Sequence, residues 1–261
     1  MTFLLTYIKR IVLLTLIYTT SRIYFLLNNN DSFNSTKIIE FIEGIRFDIS
    51  ALAYINIPLL ILLLLPTNLR TKNSSIKIIN ILFYIVNIPF IILNNIDIEY
   101  FRFTQKRSTA DFFQLMQLGE DAKNIIPQYI KNYWMISAFT ILQVWFLLKV
   151  KHIPKKKFAL NIQSASKSVL IFIIGGVFCV IAARGGIQLK PINPINAGEL
   201  SESLNTALIL NTPFCILHSL NEKPLKEYNY FDNKDLNNIY SPIHFSNNKK
   251  MNKKNIVIII L

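Results

Sequence analysis

The feature that most constrains this chain is its succession of apolar runs, each close to the roughly 20 residues that a helix needs to cross a hydrocarbon core. Five can be drawn: Ile11–Leu27, extended upstream by Phe3-Leu4-Leu5; Ile49–Leu65, closed by Pro66; Ile76–Leu93; Tyr133–Val150; and Val169–Ala183. With 52% hydrophobic residues in 261, gathered in blocks, the pattern excludes an ordinary soluble domain. The first run follows Lys9 and Arg10 as a signal peptide would, but Arg22 interrupts it and Asn28-Asn29-Asn30 follows without a small-residue cleavage pattern, so a retained helix is expected.

Basic residues in short connections resist translocation and orient such a protein. Lys9 and Arg10 precede the first run. Arg70, Lys72 and Lys77 lie at the second connection, and Lys149, Lys151, Lys155, Lys156, Lys157 and Lys167 flank the fourth, with no acid among them. In the first connection Asp31, Glu40, Glu43 and Asp48 outnumber Lys37 and Arg46, and in Asn95–Lys131 acids and bases balance. The expectation is a multi-pass protein of the bacterial cytoplasmic membrane, N-terminus inside, with everything after Ala183 outside. The net charge of +13 is then explained by orientation and by anionic lipid, and no nucleic-acid partner is expected.

No motif of catalytic chemistry is present. His152, His218 and His244 are scattered, and Cys179 and Cys215 have neither metal nor disulfide spacing, so no catalytic, cofactor or metal residue is assigned. Charges beside hydrocarbon are costly and usually paired. Arg46 and Asp48 lie just before the second run, and the stretch Asp97–Asp111 alternates charged and aromatic residues. Arg46, Asp48, Glu99 and Arg102 are therefore the candidate interface-pairing or lipid-headgroup residues, with Asp48–Arg102 and Arg46–Glu99 the expected pairs. The plainer alternative for Asp97–Asp111 is a solvated connector, with Ser108 or Thr109 capping a helix through Leu118. Gly175-Gly176 suits close helix packing, and Gly185-Gly186 suits a helix end.

After the fifth run the character changes. Prolines punctuate a polar stretch in which Gly198–Leu210 and Asp232–Tyr240 suggest short helices. It has too little apolar mass for a core of its own and reads as an extracellular linker. Then Ile256-Val257-Ile258-Ile259-Ile260-Leu261 gives a buried-strand signal that cannot stand alone. This is the signature expected of a chain cut where an α/β domain opens. The expected organisation is a five-helix transmembrane domain over 1–186, an extracellular linker over 187–254, and one strand over 255–261.

Three stretches carry a resemblance to the lipoteichoic acid synthase family, the membrane phosphoglycerol transferases of the alkaline phosphatase/sulfatase superfamily. Gly44–Tyr54 resembles the family's approach to its second span, Asp97–Asp111 its first large outer loop, and Asn255–Leu261 the opening strand of its catalytic domain. The resemblance implies five spans and a short-helix linker. It also implies an outer sulfatase-like domain whose metal-binding Glu, Thr nucleophile and Asp and His ligands would all lie beyond Leu261. It further implies membrane phospholipid as partner, a glycan or lipid acceptor for the intact enzyme, and Mn²⁺ or Mg²⁺ in the absent domain. The other open reading is a small polytopic transporter or channel subunit, to which Asn87, Pro89, Asn94 and Asn95 lend support.

Overall fold

The computed structural model describes residues 2–33, 35–64, 73–116, 127–149, 162–201, 205–220, 230 and 239–240. Nearly all belong to one compact unit, Met1–Glu222; the second unit, Lys223–Leu261, contributes only isolated described residues. The strand expected over 255–261 lies outside the described residues, as does Asp232–Tyr240 but for its last two positions.

Among the described residues the fold is helical. Long helices are α1 (Thr2–Asn28), α2 (Ile38–Ile55), α4 (Asn73–Thr104), α6 (Trp134–Leu148) and α7 (Ile162–Ala183). Shorter ones are α3 (Ile57–Leu64), α5 (Asp111–Met116), α8 (Pro194–Leu200), α9 (Thr206–Ile209) and α10 (Thr212–Ser219). Three helices are long and apolar enough to cross a membrane, or four if α2 and α3 form one bent span; α6 is apolar but shorter. These are the helices of a multi-pass membrane protein.

Side-chain placement agrees. Ile141, Leu142, Trp145 and Phe146 of α6 and Leu170, Val177 and Phe178 of α7 are exposed, while Arg22, Asp48, Asn87, Asn95 and Asp97 are buried. A water-soluble protein does not expose such continuous apolar faces. Between the helices, Leu14, Tyr18, Leu52, Leu59, Leu63 and Phe83 form the apolar core.

Two helices depart from the sequence expectation in ways that matter. The second span was expected to begin at Ile49, after the last charge, but α2 starts at Ile38 and carries Glu40, Glu43, Arg46 and Asp48 within it. It then breaks: α2 and α3 meet at 62°. Pro58 has no N–H for the Tyr54 carbonyl and its ring crowds that turn. Asn56 repairs the break. Its backbone N–H reaches Leu52 and Tyr54, and its side chain pairs reciprocally with Asn87 of α4 at 3.0 and 2.8 Å. Helix α4 likewise runs past Leu93 to Thr104, so half of the expected Asp97–Asp111 loop is helix. The chain leaves α4 at Gln105, whose φ of 52° is left-handed.

Helix α7 ends where Gly185-Gly186 suggested. Gly185 has φ 71°, its N–H donates to Ala182, and the Gly186 N–H donates to Ile181 at 2.9 Å, which makes a Schellman cap. Gly175 packs on α3, since a Cβ there would lie 2.4 Å from Leu64 Cδ1; Gly176 faces open space.

Cross-helix bonds fix the directions. Pairs 10–80, 21–95 and 28–99 climb together, so α1 and α4 are parallel. Arg22 meets Asp48, so α2 returns; Asn95 and Ser21 meet Gln143 while Ile96 meets Tyr129, so α6 returns too. Ser50 bonds Ala183 and Leu64 abuts Gly175, so α7 runs against α2 and α3. The C-terminal ends of α1, α4 and α7 therefore share one end of the bundle with the start of α2.

Candidate functional site

At that shared end lies the most concentrated chemistry of the described chain. Arg22 of α1 and Asp48 of α2 form a bidentate ion pair, both bonds 2.6 Å, with side chains 2% and 1% exposed. The remaining guanidinium donors go to backbone: Nε to the Leu208 carbonyl at 2.8 Å, and Nη2 to Gly44 at 3.0 Å and Ile209 at 3.2 Å. Gly44 makes this possible. A Cβ there would sit 2.5 Å from Arg22 Cζ, so only glycine lets the guanidinium lie flat on the α2 backbone.

A second buried pair completes the cluster. Asp97 of α4 accepts from Arg107 at 3.2 Å, from the Ser108 N–H at 3.1 Å and from the Thr212 hydroxyl at 2.7 Å. The Ser108 hydroxyl also donates to Asp97, and α5 starts three residues further on, at Asp111, so Ser108 does not stand at its cap as the sequence suggested. Arg107 sends Nε to the Ala207 carbonyl at 2.8 Å and lies 3.5 Å from the Phe25 ring centroid. Burial lowers the Arg107 pKa, and the Asp97 carboxylate opposes that shift.

The object held is the stretch 205–219, expected as part of a linker without a core. Three consecutive carbonyls at the end of α9, those of residues 207 to 209, have no helical partners of their own. Arg107 and Arg22 satisfy them, and cations at a helix C-terminus oppose its dipole. After two intervening residues α10 begins. Asn211 caps it through the Phe214 N–H at 2.8 Å while donating to Asp48, also at 2.8 Å. The Thr212 N–H donates to Asn94 at 3.2 Å, and Asn205 donates to Glu40 at 2.8 Å. Underneath, Phe47 and Ala51 of α2 bury Ile192, Ala197, Ile209 and Phe214, with Phe47 and Phe214 edge-to-face at 4.9 Å. Cys215 is buried beside them and burial pushes its thiol up to about 12, which makes it inert packing.

Of the four residues singled out from sequence, only Asp48 joins this cluster. Arg46 donates to the Gly185 carbonyl and to Glu43 at 3.3 Å, tying α2 to the end of α7. Glu99 accepts from Asn28 at 3.0 Å and from Arg102 at 3.5 Å. The structure thus brings Glu99 and Arg102 together, but forms neither Asp48–Arg102 nor Arg46–Glu99. Arg22, Asp97, Arg107, Asn211 and Thr212 were missed. Arg22 was the legible one: an arginine inside an apolar run needs a partner.

The arrangement binds a chain segment: the guanidinium groups of the two ion pairs donate to its backbone carbonyls, and the carboxylates accept from its Asn211 and Thr212 side chains. Among the described residues no group of three His, Cys, Asp or Glu is placed to hold a metal. The fold and site define a polytopic helical membrane protein with a docked segment clamped at one end of its bundle. No protein-family profile, curated protein or solved structure matches this chain.

Proposed function

We propose that the chain is the five-span membrane anchor and docking platform of a phosphoglycerol-transferase-like or sulfatase-like enzyme. That enzyme would transfer or hydrolyse phospholipid-derived headgroups outside the cytoplasmic membrane. The observation that supports this is the clamp: the chain that leaves the last apolar helix is folded back and pinned by Arg22–Asp48 and Arg107–Asp97. The polypeptide beyond residue 219 then starts from a fixed point at the membrane face.

Five crossings are supported by two further features. The helix directions alternate, with α2 and α3 taken as one bent span. And α6 has a helical lead-in: residues 127–132 are helical, and bonds Tyr133 to Tyr129 and Ser137 to Tyr133 carry the ladder through the interruption. Residues 127–148 then span about 33 Å at 1.5 Å per residue, enough for the hydrocarbon core. With the basic connections inside, the clamp lies outside. Single cysteines at Ser164→Cys and Asn247→Cys, in a background with Cys179→Ala and Cys215→Ala, test the topology with an impermeant maleimide. Asn247→Cys should label from outside and Ser164→Cys should not; the reverse pattern refutes it.

The enzymatic class is tested in the genomic DNA. A frame that continues past Leu261, adds Glu at once and later a Thr in a sulfatase-like context supports the reading, and a stop codon refutes it. The divalent metal, Mn²⁺ or Mg²⁺, and the glycan or lipid acceptor would belong to that outer domain. The transporter alternative draws on the Asn56–Asn87 pair and on Ser21, Asn95, Thr140 and Gln143, which bond one another inside the bundle. Substrate-dependent flux in proteoliposomes, abolished by Asn95→Leu, would favour it.

A further inference from the structure

Between α1 and α6 runs an apolar groove of about 460 Å³, lined by Thr20, Ile23, Tyr24, Leu27, Met135 and Phe139. The lining follows the outward stripe of α1, where Ile23 is 45% and Leu27 70% exposed, and meets Met135 at 60% on α6. Both helices present apolar faces to the bilayer here, so the groove is continuous with the lipid-facing surface and its occupant comes from the hydrocarbon. Its lining is almost wholly apolar. The Thr20 hydroxyl donates to Ile17 at 2.7 Å and accepts from Gln143 at 3.0 Å, and Tyr24 closes edge-to-face on Phe139 at 4.9 Å.

The groove's end is charged. Leu27 leads directly to Asn28, which donates to Glu99, and Glu99 accepts from Arg102. Arg102 stands in the last turn of α4, two residues before the span ends at Thr104. Its contact with Glu99 is long, at 3.5 Å, and its side chain is 55% exposed, so guanidinium donors remain for a further partner. Guanidinium forks match phosphate oxygens bidentately.

We propose that this groove holds one acyl chain of a phospholipid whose phosphate is bound by Arg102. The site selects a phosphate-bearing lipid: an apolar tail for the seam, an anionic phosphodiester for the cation above it. It rests on membrane insertion of α1, α4 and α6 and stands whether or not the enzymatic reading holds.

The test is native mass spectrometry of the full chain purified in detergent, with phosphatidylglycerol, diacylglycerol or inorganic phosphate added separately. Wild type should retain one phosphatidylglycerol through detergent exchange. Arg102→Gln should weaken phosphatidylglycerol retention about tenfold, the loss of one charge-assisted contact, while diacylglycerol retention stays the same. Ile23→Trp should fill the seam and weaken both lipids. Leu27→Trp, at a more exposed position, repeats that test without burdening the fold, and Val177→Trp on the exposed face of α7 should leave retention unchanged. Equal retention by wild type, Ile23→Trp and Leu27→Trp overturns the groove. Equal phosphatidylglycerol retention by Arg102→Gln overturns the headgroup contact. Inorganic phosphate displacing the lipid at equal occupancy overturns the requirement for an acyl chain. A topology that fails the maleimide test while lipid retention behaves as stated leaves this site standing and refutes only the five-span orientation.

Discussion

Helix α1 carries two buried arginines about 18 Å apart along its axis, and they are held in opposite ways. Arg22 meets a carboxylate in two-point contact and spends its remaining donors on three carbonyls. Among the described residues Arg10 meets no carboxylate. Its Nη2 donates to the Asn80 amide, its guanidinium lies 4.4 Å from the Phe83 ring centroid, and its Nε and Nη1 find no hydrogen-bond partner among those residues. Burial of a charge is therefore not what makes a clamp. A guanidinium becomes a structural fastener when a second helix supplies the counter-charge and a third segment supplies acceptors. Without these it is a topological marker that the fold tolerates.

The largest effect that can break this contrast comes from removing one partner of each. Asp48→Asn leaves Arg22 buried and uncompensated, and should destabilise the bundle by about 3–5 kcal/mol. Arg10→Met removes a charge that has no counter-ion and should be neutral or stabilising by about 1 kcal/mol or more. Thermal unfolding in detergent of the two variants side by side checks this. Equal losses would erase the distinction. The double change Arg22→Met with Asp48→Leu should recover much of the loss, because no lone charge remains, and cysteine accessibility at Ser219→Cys should still rise because the α9 carbonyls have lost their donors.

Next in size is Gly44→Ala. In an exposed helix this change gains about 1 kcal/mol of propensity. Here the new methyl would meet a guanidinium held by five hydrogen bonds, and overpacking of that kind costs about 1–3 kcal/mol. A net loss of stability, together with raised proteolysis near residue 209, is the expected outcome; a gain would show that Arg22 can move away freely. The same change at Gly176 of α7, where nothing lies within 4 Å, should instead gain up to about 1 kcal/mol and serves as its control.

A smaller effect belongs to the bend. Asn56 and Asn87 exchange amide bonds across α2 and α4, and interhelical polar contacts in membranes average about 0.6 kcal/mol. A double-mutant cycle on Asn56→Ala and Asn87→Ala should give a coupling near that value. Zero coupling would mean that Pro58 alone sets the 62° angle.

Much of the bundle was legible because apolar length is a strong signal, and the Gly185-Gly186 helix end was legible because only glycine takes φ 71° freely. The hidden part is instructive. Apolar runs alone place the start of α2 eleven residues late, after Asp48, and the end of α4 eleven residues early, before Asn94-Asn95. Asp48 and Asp97 lie on helix faces turned toward partners as far as 163 and 115 positions away in sequence. Pro58 was passed over because a run of Leu and Ile surrounds it. The docking of 205–219 could not be inferred from its own composition, since its core is borrowed from α2 and its hydrogen bonds from Arg22, Arg107 and Asp97. Arg46 and Glu99 were chosen for lying near the interface, and each instead found a partner three residues away on its own helix.

The smallest predicted effect concerns the outer end of the docked segment. His218 stacks on Phe214 with ring centroids 4.2 Å apart, and Phe214 is the aromatic that α10 inserts against Phe47. Burial lowers the His218 pKa from its ordinary value near 6.5, which outweighs the preference of a helix C-terminus for a cation. The folded state therefore binds the proton less readily than the unfolded chain. Its contribution to stability is fully present above about pH 6.5 and is lost as the pH falls from there through the lowered folded-state value. Because His218 is only half-buried, solvent screening keeps the effect small. Wild type should show a shallow fall in unfolding temperature between about pH 6.5 and 5 that His218→Phe abolishes, with no change at about pH 8. A variant with the same slope as wild type would take the acid sensitivity away from His218. An opposite slope, with stability rising as the imidazole protonates, would show that the α10 dipole and not the stacking environment governs this end of the segment.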